Sequence, residues 1–257
     1  MFFQREVMMK PAGTRTVGIL AGMLFLVAGL AGQASAQMLQ STDRAFVGIS
    51  FGGQTKARTF TVFGSQPVYD ETATFESTVG IGADGVFDIN GGVRVRSNVG
   101  VGISFSRYSD TSTGALTASI PDPVLFDSPR SASVTASGLK HSESQLHLSA
   151  YWLQPMTDKI DVSAYAGPTF FSVKQDLVSG INVAAGASTI ASVSTTAVDE
   201  TTVGLHAGVD VRYLIIKNAG VGAFLRYTAG RVDVPVIDGG RMEVGGFQYG
   251  VGLRYRF

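Results

Sequence analysis

From Glu243 to Phe257 the chain alternates without interruption. Phe247, Tyr249, Val251, Leu253, Tyr255 and Phe257 form one set, and Gly246, Gln248, Gly250, Gly252, Arg254 and Arg256 the other. A period of two is that of a β-strand with one apolar and one polar face. Seven upstream stretches repeat it. Ala45 to Thr55 sets Val47, Ile49 and Phe51 against Gly48, Ser50 and Gly52, and Val79 to Val95 sets Phe87, Ile89, Val93 and Val95 against Asp88, Asn90, Gly92 and Arg94. After the turn Arg96-Ser97-Asn98, Val99, Val101, Ile103 and Phe105 alternate with Gly100, Gly102, Ser104 and Ser106, which reads as a hairpin. His141 to Leu153 opposes Leu146, Leu148, Ala150 and Trp152 to Glu143, Gln145, His147, Ser149 and Tyr151. The next strand opposes Ile160, Val162, Ala164, Ala166, Pro168 and Phe170 to Asp161, Ser163, Tyr165, Gly167 and Thr169, with a bulge expected at Pro168. Two more follow: Val203 to Tyr213 against Gly204, His206, Gly208, Asp210 and Arg212, then Val221, Ala223, Leu225 and Tyr227 against Gly222, Phe224, Arg226 and Thr228.

Connections between these stretches alternate in length. Three are tight, near residues 96–98, 154–159 and 215–219, and four are long, near 56–78, 109–140, 174–198 and 231–242. The long ones are rich in Ser, Thr, Gly and Ala and read as solvated loops. An up-and-down antiparallel sheet then carries every short turn at one end and every long loop at the other, as in an outer-membrane barrel. The pattern predicts eight strands. Ten is the alternative count if residues 57–81 or 112–140 hold another pair, and the first three loops have room for hairpin extensions, as Thr59–Phe63 suggests.

Which face meets lipid follows from what each face carries. The polar set is small, with glycine at 48, 52, 92, 100, 102, 167, 204, 208, 222, 250 and 252, which leaves room in a narrow lumen for large residues such as Arg94 and Tyr165. The apolar set carries no charge across the strand centres, as expected if a lipid-facing arginine costs about 2–4 kcal/mol at the midplane. Outward aromatics fall into two belts: Trp152, Tyr213, Tyr255 and Phe257 toward the short turns, and Phe51, Phe105, Phe170, Tyr227 and Phe247 toward the long loops. Such belts mark bilayer interfaces.

The N-terminus adds an export signal. Lys10 and Arg15 precede an apolar run from Val17 to Leu30, and Ala34-Ser35-Ala36 then supplies a cleavage site. The run is short for a spanning helix of ~20 residues. The expected organisation is a signal peptide over 1–36, a short periplasmic segment over 37–43, and an outer-membrane barrel over 44–257. Composition excludes other classes. With no cysteine, neither disulfides nor thiolate metal sites can form. Charge balance without a basic tract argues against a nucleic-acid partner.

On the hairpin layout and the closing Tyr255-Arg256-Phe257, the chain resembles the small eight-stranded outer-membrane proteins related to the OmpA barrel, OmpX and OmpW. That resemblance implies insertion by the barrel-assembly machinery, with Tyr255 and Phe257 as the assembly signal, and contact with outer-membrane lipid and lipopolysaccharide.

Several motifs compete with this reading. Gly80-Ile81-Gly82-Ala83-Asp84-Gly85 has the GxGxxG form, but a strand follows it rather than the helix a dinucleotide loop needs. Gly48-Ile49-Ser50-Phe51-Gly52 has the GxSxG form without a strand-to-helix turn. His147 and Ser149 share a face with Glu143, a spacing that resembles barrel lipid A deacylases, yet the phasing turns that face into the lumen. No catalytic, cofactor or metal site is expected, since His141, His147 and His206 show no ligand spacing. The inward charges are Asp88, Glu143, Asp161 and Asp210 with Arg94, Arg212, Arg226, Arg254 and Arg256. Buried charge must be paired, and water-filled porin lumens need ~16 strands, so a network filling the lumen is expected. The expected role is structural or surface-interacting. A small porin, or a channel for small or hydrophobic solutes, is the alternative, and a lipid A hydrolase the remote one.

Overall fold

A computed structural model describes residues 43–55 and 58–257. The expected signal peptide and residues 37–42 lie outside the described residues. Along the chain run β1 (Ala45–Gln54), β2 (Arg58–Val68), β3 (Glu71–Ile81), β4 (Asp84–Arg96), β5 (Val99–Ile120), β6 (Arg130–Pro155), β7 (Ile160–Val183), β8 (Ile190–Leu214), β9 (Ala219–Asp233) and β10 (Arg241–Arg256).

Pairing closes a ring. The order is β1-β4-β5-β6-β7-β8-β9-β10 and back to β1, antiparallel at every step. The remaining two strands form a hairpin, with β2 paired to β3, and β3 then pairs to the far half of β5 beyond the end of β4. Thus β1, ending at Gln54, and β2, starting at Arg58, belong to one stave, and β3 and β4 to another, interrupted at Gly82-Ala83. The ten strands make an eight-stranded barrel. A closed ring leaves no free sheet edge, which hydrocarbon requires.

Three expectations need correction. The long connections are not solvated loops over most of their length: β5 runs on to Ile120, β6 starts at Arg130, β7 ends at Val183 and β8 starts at Ile190. The stretch Val79 to Val95 is two strands rather than one. No bulge forms at Pro168, because Gly167, Pro168 and Thr169 pair in register with His206, Leu205 and Gly204. On the β6 side, pairing lapses between His147–Thr169 and Ala150–Ala166 without a shift. A lapse, not an added residue, accommodates the missing donor.

The staves are long because their two faces exchange polarity part-way along. On β5 the outward series is Val99, Val101, Ile103 and Phe105, followed by Arg107, Ser109 and Thr111, all exposed. Its inward series runs from Ser104 and Ser106, through Tyr108, to Leu116, Ala118 and Ile120, and these six are buried. On β7 the outward series changes from Phe170 to Ser172 and Lys174 as the inward series changes from Thr169 to Phe171 and Val173. The exchange sits just past Phe51, Phe105, Phe170, Tyr227 and Phe247, the belt expected at the outer interface. Such an exchange is the one expected of a wall that passes from acyl chains, where apolar residues face outward, into water, where they turn inward.

Two apolar clusters fill the external part. Val62, Ile81, Tyr108, Phe171, Val232 and Met242 belong to the nearer one. Phe75, Leu116, Ile120, Leu139, Val178 and Ile181 belong to the farther one. Across the top, Gln66 binds the Ile181 backbone twice, donating from Nε2 at 2.5 Å and accepting at 3.0 Å. Tyr69, in the β2–β3 turn, donates its hydroxyl to the Ala184 and Ala187 carbonyls at 3.0 Å each.

Candidate functional site in the barrel lumen

The alternation that turns valine and leucine outward turns the intervening charges inward. Val251 and Leu205 are 66% and 68% exposed on the wall, while Arg254 and Asp210 are buried. Every inward charge predicted from sequence faces the lumen or its lower mouth, and register sorts them into layers.

At the short-turn end Arg256 Nη1 lies 2.8 Å from Asp43 and 3.3 Å from Asp161. Arg94 and Arg212 line the same mouth. In the next layer Asp210 holds two arginines. Arg254 donates from Nη2 at 2.6 Å and from Nε at 3.1 Å to one oxygen, and Arg212 donates from Nε at 3.0 Å to the other. Arg254 also donates to Ser50 Oγ at 2.7 Å. The Arg212 guanidinium stacks 3.9 Å from the Phe46 ring, which meets Tyr151 edge-on at 5.4 Å. Glycine makes room for these groups: a Cβ at Gly222 would lie 2.9 Å from Arg254 Cγ, and one at Gly208 would lie 2.7 Å from the Tyr165 ring.

Higher up, Arg226 spends its guanidinium on three partners: Asp88 at 2.9 Å, Gln248 at 2.9 Å and Ser104 at 3.1 Å. Gln248 passes the connection to Gln54 at 2.9 Å and Gln145 at 3.1 Å. At the top of the polar stack Glu143 is fully enclosed. It accepts from Arg58 Nη1 at 2.7 Å, Gln145 Nε2 at 2.9 Å and the Gly245 N–H at 3.0 Å, and His141 Nε2 lies 3.0 Å away. Arg58 belongs to the stretch read from sequence as a loop. Nothing in its local pattern marks it as a lumen residue, because the break between β1 and β2 hides the phase.

Beside the charge stack runs a neutral relay. Ser106 Oγ is 3.0 Å from His147 Nε2, and His147 Nδ1 is 2.8 Å from Thr169 Oγ1. Thr169 Oγ1 is 2.9 Å from His206 Nδ1, and His206 Nε2 is 2.9 Å from Ser149 Oγ. The sequence spacing suggested His147 as the partner of Ser149; the register supplies His206 instead. The pairing has the distance of a nucleophile and its base, but it faces a cavity of about 50 Å³ shared with Asp88, Tyr151, Tyr165 and Arg226. On the order of one or two waters fit there, and no acyl chain does. Among the described residues no group of three His, Asp or Glu side chains has metal-binding geometry.

Known proteins offer fold likeness at low identity. No family model matches the chain, and no curated protein matches it. Neisserial surface protein A is 14% identical, with 83% of this chain and 97% of that one covered at a TM-score of 0.43. The outer-membrane protein OprG from Pseudomonas aeruginosa is 12% identical, covering 86% and 99% at 0.46. The outer-membrane protein AlkL is 17% identical, covering 88% and 95% at 0.40. Closure over eight antiparallel strands, an apolar wall and a polar interior are the features of a bacterial outer-membrane β-barrel, and the chain has that fold.

Proposed function

We propose that the protein is a cell-envelope barrel with a side-chain-filled lumen and a structural or surface-interaction role. The observation that carries this reading is the stack of paired charges from Arg256 to Glu143, in which the cavities among the described residues measure about 50 and 10 Å³. Such a lumen braces the wall and offers no path to a hydrated solute, so the porin alternative is disfavoured. Ser149 and His206 lack substrate space, so the reading is also non-enzymatic.

The external extension is the part able to meet other molecules. Its far tip presents Val124, Leu125 and Phe126, the first 86% and the last 74% exposed. The turn beneath them is braced. Asp122 accepts from the Val124 and Leu125 N–H groups at 2.9 and 3.1 Å, bonds that hold its carboxyl below the usual carboxylate range, with Arg130 as its ion pair. An apolar tip held in one shape binds a partner at little ordering cost. Outer-membrane lipid and lipopolysaccharide would surround the wall, and the assembly machinery would read Tyr255 and Phe257 during insertion.

Planar-bilayer recording tests the filled lumen. The purified barrel is expected to give no unitary conductance. Steady conductance whose ion selectivity reverses in Arg226→Glu would establish the channel reading instead.

A further inference from the structure

One stretch of the wall is not zipped. Pairing of β1 to β10 ends at Gln54↔Gln248, with a last bond from Thr55 N–H to the Phe247 carbonyl. Among the described residues the two edges next pair at the bridge Val62↔Ile237, beside a bond from the Phe63 N–H to the Val236 carbonyl at 3.4 Å, with the Gln54 side chain donating to the Gly245 carbonyl at 3.4 Å in between. Between these points β10 takes positive φ at Gly245 (85°) and Gly246 (149°), which turns the Gly245 N–H inward to Glu143. A cleft of about 360 Å³ lies over this seam, lined by Arg58, Thr59, Thr61, Asp238, Arg241 and Glu243. It stands immediately above Phe51 and Phe247, at the level of the lipid headgroups of the outer leaflet.

Arg58 is the residue to explain. Its side chain is only 7% exposed, and Nη1 is committed to Glu143. Nε and Nη2 have no hydrogen-bond partner among the described residues. These two nitrogens form the side-on edge of the guanidinium, whose parallel N–H bonds match two oxygens of a phosphate or carboxylate. Leaving charged donors unpaired away from water is costly. Glu143 does not depend on Arg58 alone, since Gln145 and the Gly245 N–H also donate to it. The guanidinium can therefore tilt toward the cleft without leaving that carboxylate bare.

We propose that the seam binds a phosphate group, with the side-on edge of Arg58 as principal contact and Arg241, which is ion-paired to Asp233 through Nε at 3.1 Å, as a secondary contact at the rim. The proposal rests on the preceding reading only for the barrel's place in the outer leaflet. Phosphate borne by a lipid and free phosphate share this chemistry. Asp238 on the rim disfavours a free anion, whereas a lipid-borne phosphate is held beside the seam by its own acyl chains.

The test uses the barrel refolded in zwitterionic micelles, with native mass spectrometry as readout. Three probes are offered: diphosphorylated lipid A, the same lipid with its phosphates removed, and inorganic phosphate. Wild type is expected to retain the phosphorylated lipid about tenfold more tightly than the dephosphorylated one. Arg58→Lys keeps a cation against Glu143 but loses the planar edge, and should abolish that preference while gel migration stays heat-modifiable. Equal retention of inorganic phosphate supports the anion site and assigns it to the free ion. Absence of a preference in wild type overturns the proposal, as does a preference undiminished in a folded Arg58→Lys. Should that variant fail to fold, Arg241→Gln takes its place, with a smaller loss of preference expected and an unchanged preference counting against the site. None of these outcomes bears on the conductance result, so the two readings fail separately.

Discussion

Replacing Asp210 with alanine is expected to destabilise the folded barrel by ~3–5 kcal/mol, the range for removing one partner of a buried ion pair. Asp210 is the only carboxylate bonded to both Arg212 and Arg254 among the described residues, and all three are buried. Its loss leaves two arginines facing each other in a cramped lumen, with Ser50, the Leu253 carbonyl and the Phe46 ring as uncharged partners. Replacing Asp210, Arg212 and Arg254 together with apolar residues of similar volume should recover much of the loss, because no member of the triad is then left as a stranded charge. Urea unfolding from phospholipid vesicles measures both. A change below ~1 kcal/mol for the single variant would mean that water screens the pair, as it does an exposed one.

Arginine substitutions along the wall should divide sharply at the polarity exchange. At Val251, on the lipid face, arginine is expected to cost about 2–4 kcal/mol. At Thr117, exposed on the external part of β5, the same change should fall within about ±0.5 kcal/mol, like other surface substitutions. One residue away, Leu116 is 1% exposed inside the farther apolar cluster, and arginine there should be severely destabilising. The ordering Thr117 far below Val251 and Leu116 is what matters. If Thr117→Arg costs as much as Val251→Arg, the external strands are embedded in lipid and the boundary is misplaced.

The barrel itself was legible because its two faces contrast strongly. In β10, glycine and arginine alternate with aromatic and aliphatic residues, and no other period fits. The short turns and the inward phase of Asp88, Arg226 and Arg254 followed from the same contrast. The external strands are legible in outline only: residues 57–81 and 112–140 have room for another pair and Thr59–Phe63 suggests a hairpin extension, but how far each strand continues is not. In Ala115-Leu116-Thr117-Ala118-Ser119-Ile120 both faces are small or mildly apolar, so the amplitude of the alternation is low and the composition resembles a loop. The exchange of polarity also works against any reading that assumes one phase rule along a strand. Partners across the lumen were hidden for a different reason. That Ser149 meets His206, or Glu143 meets Arg58, depends on strand register and on curvature of the wall, and neither is written in one strand's own sequence. Proline at 168 was misjudged because a ladder can lapse without slipping.

Trp152 is the only tryptophan in the chain and lies on the outer face of β6, 42% exposed, near the short turns. Its fluorescence in bilayers whose acyl chains carry bromine measures whether that face meets lipid. Strong quenching by the brominated chains, with little effect of aqueous iodide, is the expected result. Quenching by iodide without quenching by bromine would put the apolar wall in water, and the membrane-spanning barrel would be ruled out.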